Sequence, residues 1–385
     1  MRKMRIHDTR SAQVVDLEPR DPGRVGIYAC GPTVYNRIHI GNARPFVVFS
    51  LLKRYLEHEG TEATLVINVT DVNDKIYDAA RAQGIPSDEL AVEMTRAYRS
   101  DTDLLGLGRP DHEPLATETI GPIIDLIAAL IERGSAYESA GDVYFRVRSD
   151  PAYGNVSHRD VDDMHQGEDE AETDRKEDPL DFALWKGEKP GEDKAWDSPW
   201  GRGRPGWHIE CSAMAEELLG VNFDIHGGGI DLVFPHHENE AAQTRMGRGS
   251  ELARIWMHNG MLQLRGEKMA KSVGNIELLH AAVDRWGRDT LVWFFASAHY
   301  RQPIQYSDET LTQAMRTVSG IRDFARSLSP GESSEELASH RDAFFDALAD
   351  DFNTPAALAH LHAWVRAARE RRETGDSHLR EMLGV

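Results

Sequence analysis

The chain has 385 residues, 40% hydrophobic and 28% charged, which suits two or three globular domains and excludes fibrous or disordered classes. No apolar run approaches the roughly 20 residues that cross a bilayer. The basic start Met1-Arg2-Lys3-Met4-Arg5 leads into polar sequence rather than a signal-peptide core, so a cytoplasmic protein without membrane attachment is expected. A formal net charge of −20 excludes a general phosphate binder, because non-specific nucleic-acid affinity comes from Lys and Arg, yet it leaves room for a local basic face.

Arg24 to Cys30 reads as a short buried strand entering a Gly31-Pro32 turn. Gly41 to His58 follows as a helix: Phe46, Phe49, Leu52 and Leu56 recur at helical spacing, Pro45 suits a first turn, and Gly60 stands past the end. Ala63 to Val69 is a second apolar strand, with polar sequence from Thr70 to Lys75. Strand, loop, helix, strand is a βαβ unit, which implies a parallel sheet with its ligand crevice in the loops after the strands. Helices are expected over 87–107 and 117–133, then a hairpin around Gly141-Asp142 with Val143-Tyr144-Phe145 as its second strand. Asp162, Asp163, Glu168, Asp169, Glu170, Glu172 and Asp174 crowd a polar run expected to be a solvated, mobile loop. The α/β pattern resumes with a helix from Cys211 to Leu219, a strand from Phe223 to His226, a helix from Pro235 and a strand from Ala253 to Met257. Beyond about 278 the chain reads as helical, over 279–297, 307–328, 335–349 and 355–373, with Thr354 the preferred N-cap before Pro355.

Three segments carry chemistry. Cys30-Gly31-Pro32 through His39-Ile40-Gly41-Asn42 joins a strand to a helix start, where unpartnered N–H groups favour an anion. Gly41 admits close approach to the backbone and His39 adds a donor, although a surface histidine is the ordinary alternative. Gly266-Glu267-Lys268-Met269-Ala270-Lys271-Ser272 is not a P-loop, since Lys271 stands where the second glycine would fall. Its two lysines can hold a polyphosphate as point charges, or the segment is a solvated turn. In Pro235-His236-His237-Glu238-Asn239-Glu240, His236 and Glu240 are four apart and share one helix face. With two thiolates from elsewhere they would form a tetrahedral Cys₂HisGlu zinc site. The only cysteines are Cys30 and Cys211, too few for a disulfide scaffold and equally readable as buried free thiols.

Taken together and in order, CGPTVYNRIHIGNAR (Cys30 to Arg44), NVTDVNDKI (Asn68 to Ile76), GRPGWHIECSAM (Gly203 to Met214), HGGGIDLVFPHHENE (His226 to Glu240) and GEKMAKS (Gly266 to Ser272) resemble the cysteinyl-tRNA synthetase family. The first and last look like the two class I synthetase signatures. The resemblance implies an α/β fold: a Rossmann-like parallel-sheet catalytic domain (1–114 and 201–260) split by a connective insertion (115–200). A signature-loop region (261–305) and an α-helical bundle (306–385) would follow. It implies that one Zn2+ is held by Cys30, Cys211, His236 and Glu240 and selects the thiol substrate. His39, Gly41, Asn42 and Lys271 would meet ATP with its Mg2+, and His39, Asn42, Lys268 and Lys271 would be catalytic. Thr70, Trp207 and Asp231 would lie near L-cysteine, with Asp231 on its ammonium. The implied reaction forms cysteinyl-adenylate and passes cysteine to the 3′ end of tRNA(Cys), in a monomeric enzyme.

Asn42 stands where many class I members carry a second histidine, and Ala270 where many carry serine; activity is expected to survive both. The sequence stops at Val385, soon after Asp351-Phe352-Asn353-Thr354-Pro355, so the family's anticodon-binding domain is expected to be missing and the acceptor end of tRNA to dominate recognition. That expectation leaves two alternatives open: a mycothiol-pathway-type ligase joining cysteine to an amino-sugar amine, and a non-catalytic paralogue.

Overall fold

The computed structural model describes residues 2–164, 174–264 and 277–385, together with the backbone of 267–268. An antiparallel pair, β1 (Arg5–Asp8) and β2 (Gln13–Asp16), opens the chain. β3 (Arg24–Ala29), α1 (Ile40–His58) and β4 (Glu62–Ile67) then form the expected βαβ unit, with β3 and β4 parallel. Two helices follow, α2 (Asp74–Gln83) and α3 (Ser87–Asp103). The middle of the chain supplies α4 (Ile120–Glu132) and four strands: β5 (Ala136–Ser139), β6 (Asp142–Phe145), β7 (Phe182–Gly187) and β8 (Gly203–Pro205). These pair in sequence order as an antiparallel sheet. α5 (Trp207–Leu219), β9 (Phe223–Gly229), α6 (Glu238–Arg248) and β10 (Ala253–Asn259) return to the parallel sheet, whose order is β10-β9-β3-β4. β11 (Leu262–Leu264), β12 (Glu267–Lys268), α7 (Leu279–Trp286), α8 (Arg288–Ala296) and β13 (Ile304–Tyr306) form a smaller layer, with β11 pairing β12 and β13. The chain closes with α9 (Asp308–Ala325), α10 (Ala338–Ala349), α11 (Thr354–Arg371) and α12 (Ser377–Gly384).

Strand alternation decides which side chains meet. In β3, Val25, Ile27 and Ala29 join one core with α1 and the C-terminal helices, while Tyr28 and Cys30 face the opposite core with Cys211, Phe223 and Trp256. Cys30 therefore faces α5 and Cys211 as a consequence of strand parity. Gly227 lets α1 lie close against β9: a Cβ there would stand 2.0 Å from Cζ of Phe49. A separate core holds the antiparallel sheet against α4, built on Ile123, Leu126, Ile127, Phe145, Leu184 and Trp185.

The structure departs from the sequence-based expectations in four places. The polar stretch after β4 leads into α2, capped by Asn73 Oδ1 on the Lys75 N–H and ended by Gly84 at φ +69°. Ile76, Tyr77 and Ala80 form its buried stripe. The single helix expected over 279–297 is broken at Gly287, whose φ of +78° suits only glycine well. Asn353, not Thr354, caps α11: its Oδ1 accepts from the Ala356 N–H at 3.1 Å, and Thr354 is already inside the helix. Within the acidic run, Asp162, Asp163 and Asp174 lie in described segments, and Asp162 with Asp178 pairs Arg148. Glu168, Asp169, Glu170 and Glu172 lie outside the described residues.

Candidate metal centre and adjoining cleft

The parallel sheet reverses its strand order between β3 and β9, with β4 outside one and β10 outside the other. Such a switch point opens a crevice beyond the carboxyl ends of the strands. Cys30 directly follows β3, its N–H donating to Gly227 O at 2.9 Å. Gly31 permits the tight departure that follows, since a Cβ there would lie 1.8 Å from Asn68 O. The Asn68 side chain in turn accepts the Gly31 N–H at 2.8 Å. Asp231 lies just past β9, and α6 begins nearby with His236 and Glu240 around its first turn.

Cys30, Cys211, His236 and Glu240 converge here, with one donor atom from each within 4.8 Å of the others, and all four are buried. Cys30 Sγ stands 3.9 Å from Glu240 Oε2, and His236 Nε2 stands 3.6 Å from the same oxygen. Burial dominates the titration of three of the four. It pushes the Cys30 thiol well up, lifts the Glu240 carboxyl to about 7 and lowers His236 to about 3. At Cys211 the hydrogen bond with Cys30 pulls downward, but burial and the Glu240 charge outweigh it. Two thiols, a neutral imidazole and a carboxylate, all buried, make a donor set of the kind that can hold a cation. Two sulfurs, one nitrogen and one oxygen at tetrahedral count fit zinc.

A second group was not anticipated from the sequence. Cys30, His226, His237 and Glu240 also place donor atoms within 4.8 Å of one another. His226 Nε2 lies 3.2 Å from Glu240 Oε1. Because both groups use Cys30 and Glu240, one ion can serve only one of them at a time, and the two-thiol set is the softer match to zinc. His226 and His237 belong to a buried layer with His208, His236 and His258. His208 Nδ1 meets His236 Nδ1 at 2.9 Å, His237 Nδ1 meets His258 Nε2 at 2.7 Å, and His258 Nδ1 meets Thr9 Oγ1 at 2.7 Å. Such outer contacts fix which imidazole nitrogen faces the centre. The adjacency of His237 to His236 was a signal for this layer; His258, in an apolar strand, offered none.

Cys30 also lines a cleft of about 440 Å³, together with Thr33, His39, Gly41, Asn42, Lys75, Trp207 and Asp231. Trp207 stacks on His236 with ring centroids 4.3 Å apart, so the cleft wall and the four-donor cluster share a surface. His39 and Asn42, also in the lining, cap α1 reciprocally. His39 Nδ1 accepts the Gly41 N–H at 3.1 Å, and Asn42 Oδ1 accepts the His39 N–H at 3.2 Å. The two residues read as phosphate donors thus also hold the helix start that would meet the phosphates. Thr70 is buried behind the Pro32–Val34 turn, exchanging backbone hydrogen bonds with Pro32 and Val34, and is not in the cleft lining. Lys271 lies outside the described residues, and Lys268 is described only through its strand pairing with Gln263.

Arg44, two residues after Asn42, is 1% exposed and donates to the carbonyls of Gly260, Met261, His299, Tyr300 and Gln302. It ties α1 to the Gly260–Leu262 edge of the cleft. Nothing in the sequence distinguished it from a surface arginine.

Residues 16–316 match the family model for the tRNA synthetases class I (C) catalytic domain, and residues 343–383 match a DALR domain. The cysteine–tRNA ligase of Nitratidesulfovibrio vulgaris is 46% identical over 379 residues, an alignment covering 95% of this chain and 78% of the relative. That of Carboxydothermus hydrogenoformans is 44% identical over 382 residues, covering 97% and 82%. In fold, the chain is similar to Mycobacterium tuberculosis methionyl-tRNA synthetase in complex with methionyl-adenylate, with a TM-score of 0.70 at 16% identity, covering 93% of this chain and 87% of that one. It is also similar to the Agrobacterium radiobacter leucyl enzyme in its ternary complex, with a TM-score of 0.66 at 12% identity, covering 96% and 83%. The class I catalytic model spans most of the sequence and the relatives align across nearly all of it: the chain belongs to the cysteine–tRNA ligases of class I.

Proposed function

We propose that the chain activates L-cysteine with ATP to cysteinyl-adenylate and transfers it to the 3′ end of tRNA(Cys). The observation that carries this reading is the meeting of Cys30, Cys211, His236 and Glu240 beside a cleft that Cys30 lines together with His39 and Asn42 of the α1 start. Zinc held by those four would supply a soft Lewis-acidic position that a thiol meets well and a serine hydroxyl does not.

The remaining work belongs to the chain's own residues. Cysteine's carboxylate is an adequate nucleophile at neutral pH, so its attack on the α-phosphorus requires alignment rather than a protein base. Asp231, exposed at the rim of the cleft, is assigned to the substrate ammonium, with Trp207 as the wall beside it and Thr70 supporting the turn behind. His39, Gly41 and Asn42 present the start of α1 to the phosphates. Lys268 and Lys271 are assigned to the charge that develops on the departing pyrophosphate, with Mg2+ accompanying ATP. We divide the chain into a catalytic domain at 1–114 and 201–260, a connective insertion at 115–200, a signature-loop region at 261–305 and a helical bundle at 306–385. A monomer working in the cytoplasm completes the proposal; among the described residues no helix is long and apolar enough to cross a membrane.

ATP–pyrophosphate exchange with cysteine and with serine, before and after removal of zinc, tests the reading. Cysteine-dependent exchange is expected, with the preference over serine collapsing in the stripped protein. A preference unchanged by complete zinc removal would refute the metal's role.

A further inference from the structure

Asp101 stands in the last turn of α3 and is 0% exposed, yet it does not line the cleft. A carboxylate withdrawn from water needs a cation or a full set of donors. Its partner is Arg37, whose guanidinium forks onto it: Nη2 donates to Oδ1, and Nε donates to Oδ2 at 3.2 Å. His280 of α7 brings Nδ1 to 3.9 Å from the same Oδ2, and that nitrogen is buried without a hydrogen bond among the described residues. The Arg37 side chain is itself 38% exposed, so water competes for it. It is held all the same, because opening the fork would strand a buried charge.

Arg37 immediately precedes Ile38 and His39 in the loop that enters α1. That stretch is bonded to the chain that follows the second signature. The Ile40 N–H donates to Glu277 O at 2.9 Å, the Leu279 N–H donates to Ile38 O at 3.1 Å, and His39 bridges Leu278 in antiparallel fashion. These backbone bonds join the two stems to each other. The Arg37 fork, with His280 beside it, joins both to α3. The thiol side of the cleft is anchored separately, by the Cys30 N–H on Gly227 O and the Gly31 N–H on Asn68 Oδ1.

We propose that Asp101 is a positioning residue for ATP: through Arg37 it fixes the His39–Asn42 turn against α3, in the place from which that turn meets the phosphates. Recognition of an anion by a helix start depends on where its donors stand, so a turn released by a fraction of its width loses affinity. This rests on the ligase reading above and adds a residue that acts on ATP from outside the cleft.

Cysteine-dependent ATP–pyrophosphate exchange, with each substrate varied in turn, is measured in Arg37→Ala, Asp101→Asn and the double variant. The KM for ATP is expected to rise about 5- to 10-fold in each single variant, with the KM for cysteine within about twofold of the parent. Both substitutions open one fork, so the double variant is expected to match the singles within about twofold. Loss of folded protein alone would lower kcat and leave both KM values in place, and that result would overturn the proposal. So would an equal rise in both KM values. An unchanged or lower KM for ATP in Asp101→Asn would overturn it too, since a released Arg37 would then be meeting the phosphates itself. Absence of exchange in the parent protein would instead overturn the ligase reading. If Asp101→Asn fails to fold, Arg37→Lys decides, because it keeps a cation beside Asp101 and loses only the fork. Its KM for ATP is expected to rise about 2- to 4-fold with that for cysteine unchanged, and parental values for both would overturn the proposal.

Discussion

Replacing Arg44 with methionine removes a buried cation that no carboxylate faces among the described residues and that five carbonyls surround. Its shortest bonds are to Gly260 O at 2.6 Å and Gln302 O at 2.7 Å. Four of the carbonyls keep another donor when the guanidinium goes. Gly260 O retains Asn259 Nδ2, Met261 O retains the Ile304 N–H, His299 O retains the Gln302 N–H, and Tyr300 O retains the Gly260 N–H. Gln302 O has no second hydrogen bond among the described residues, so it is the one left unsatisfied, at about 1–3 kcal/mol. Charge-assisted bonds lost at the other carbonyls add to this. Relief of the cation's own burial, which pushes its pKa down to about 10, subtracts. The balance is about 3 kcal/mol of destabilisation. Arg44→Lys keeps a cation but reaches fewer carbonyls, so about half of that loss is expected. Urea unfolding followed by tryptophan fluorescence and far-UV circular dichroism reads both variants. Because the Gly260–Leu262 edge lines the cleft, the KM for ATP in exchange should rise in parallel. A Met variant within about 1 kcal/mol of the parent, with an unchanged KM, would refute the idea that Arg44 rivets the first signature helix to the cleft edge.

Cys211→Ser is expected to lower bound zinc from one per chain to a small fraction, measured by elemental analysis after dialysis against a weak chelator, because a hydroxyl is a poor replacement for a thiolate in that set. Asp231→Asn is expected to raise the KM for cysteine at least 10-fold while leaving that for ATP within about threefold, read in exchange assays; equal effects on both would contradict its assignment to the ammonium. Burial alone would raise the carboxyl of Glu373, but hydrogen bonds from Ser334, Gly375 and Thr374 prevail and hold it at about 2. Its contribution is therefore full above the unfolded value near 4.5 and is lost as pH falls from there towards 2. After a discount for partial exposure this amounts to about 1–2 kcal/mol, and Glu373→Gln should flatten that part of the stability profile.

Side-chain chemistry and local periodicity made much of this molecule legible from its sequence. The βαβ unit at 24–69 was readable because apolar alternation and helical spacing are local patterns, and strand and helix ends fell within a few residues of those observed. The resemblance singled out Cys30, Cys211, His236 and Glu240, and the fold brings these four buried side chains together. Local signals were also present and overlooked at α2, where Asn73 and Gly84 bracket a buried stripe inside a polar segment, and at Asn353, which outcompeted its neighbour for the cap.

Other features were decided only by tertiary structure. Cys30 meets Cys211 because β3 places alternate residues on opposite cores and because β9 lies beside β3, and neither the strand order nor that facing can be computed from one segment alone. The overlapping pair of donor groups, the histidine layer, the retreat of Thr70 behind a turn and the burial of Arg44 likewise depend on partners far away in the chain. The sequence by itself determined which chemistry the protein carries, because chemistry belongs to individual side chains. Which of those side chains share a volume was determined by long-range packing, because burial and proximity are properties of the whole fold.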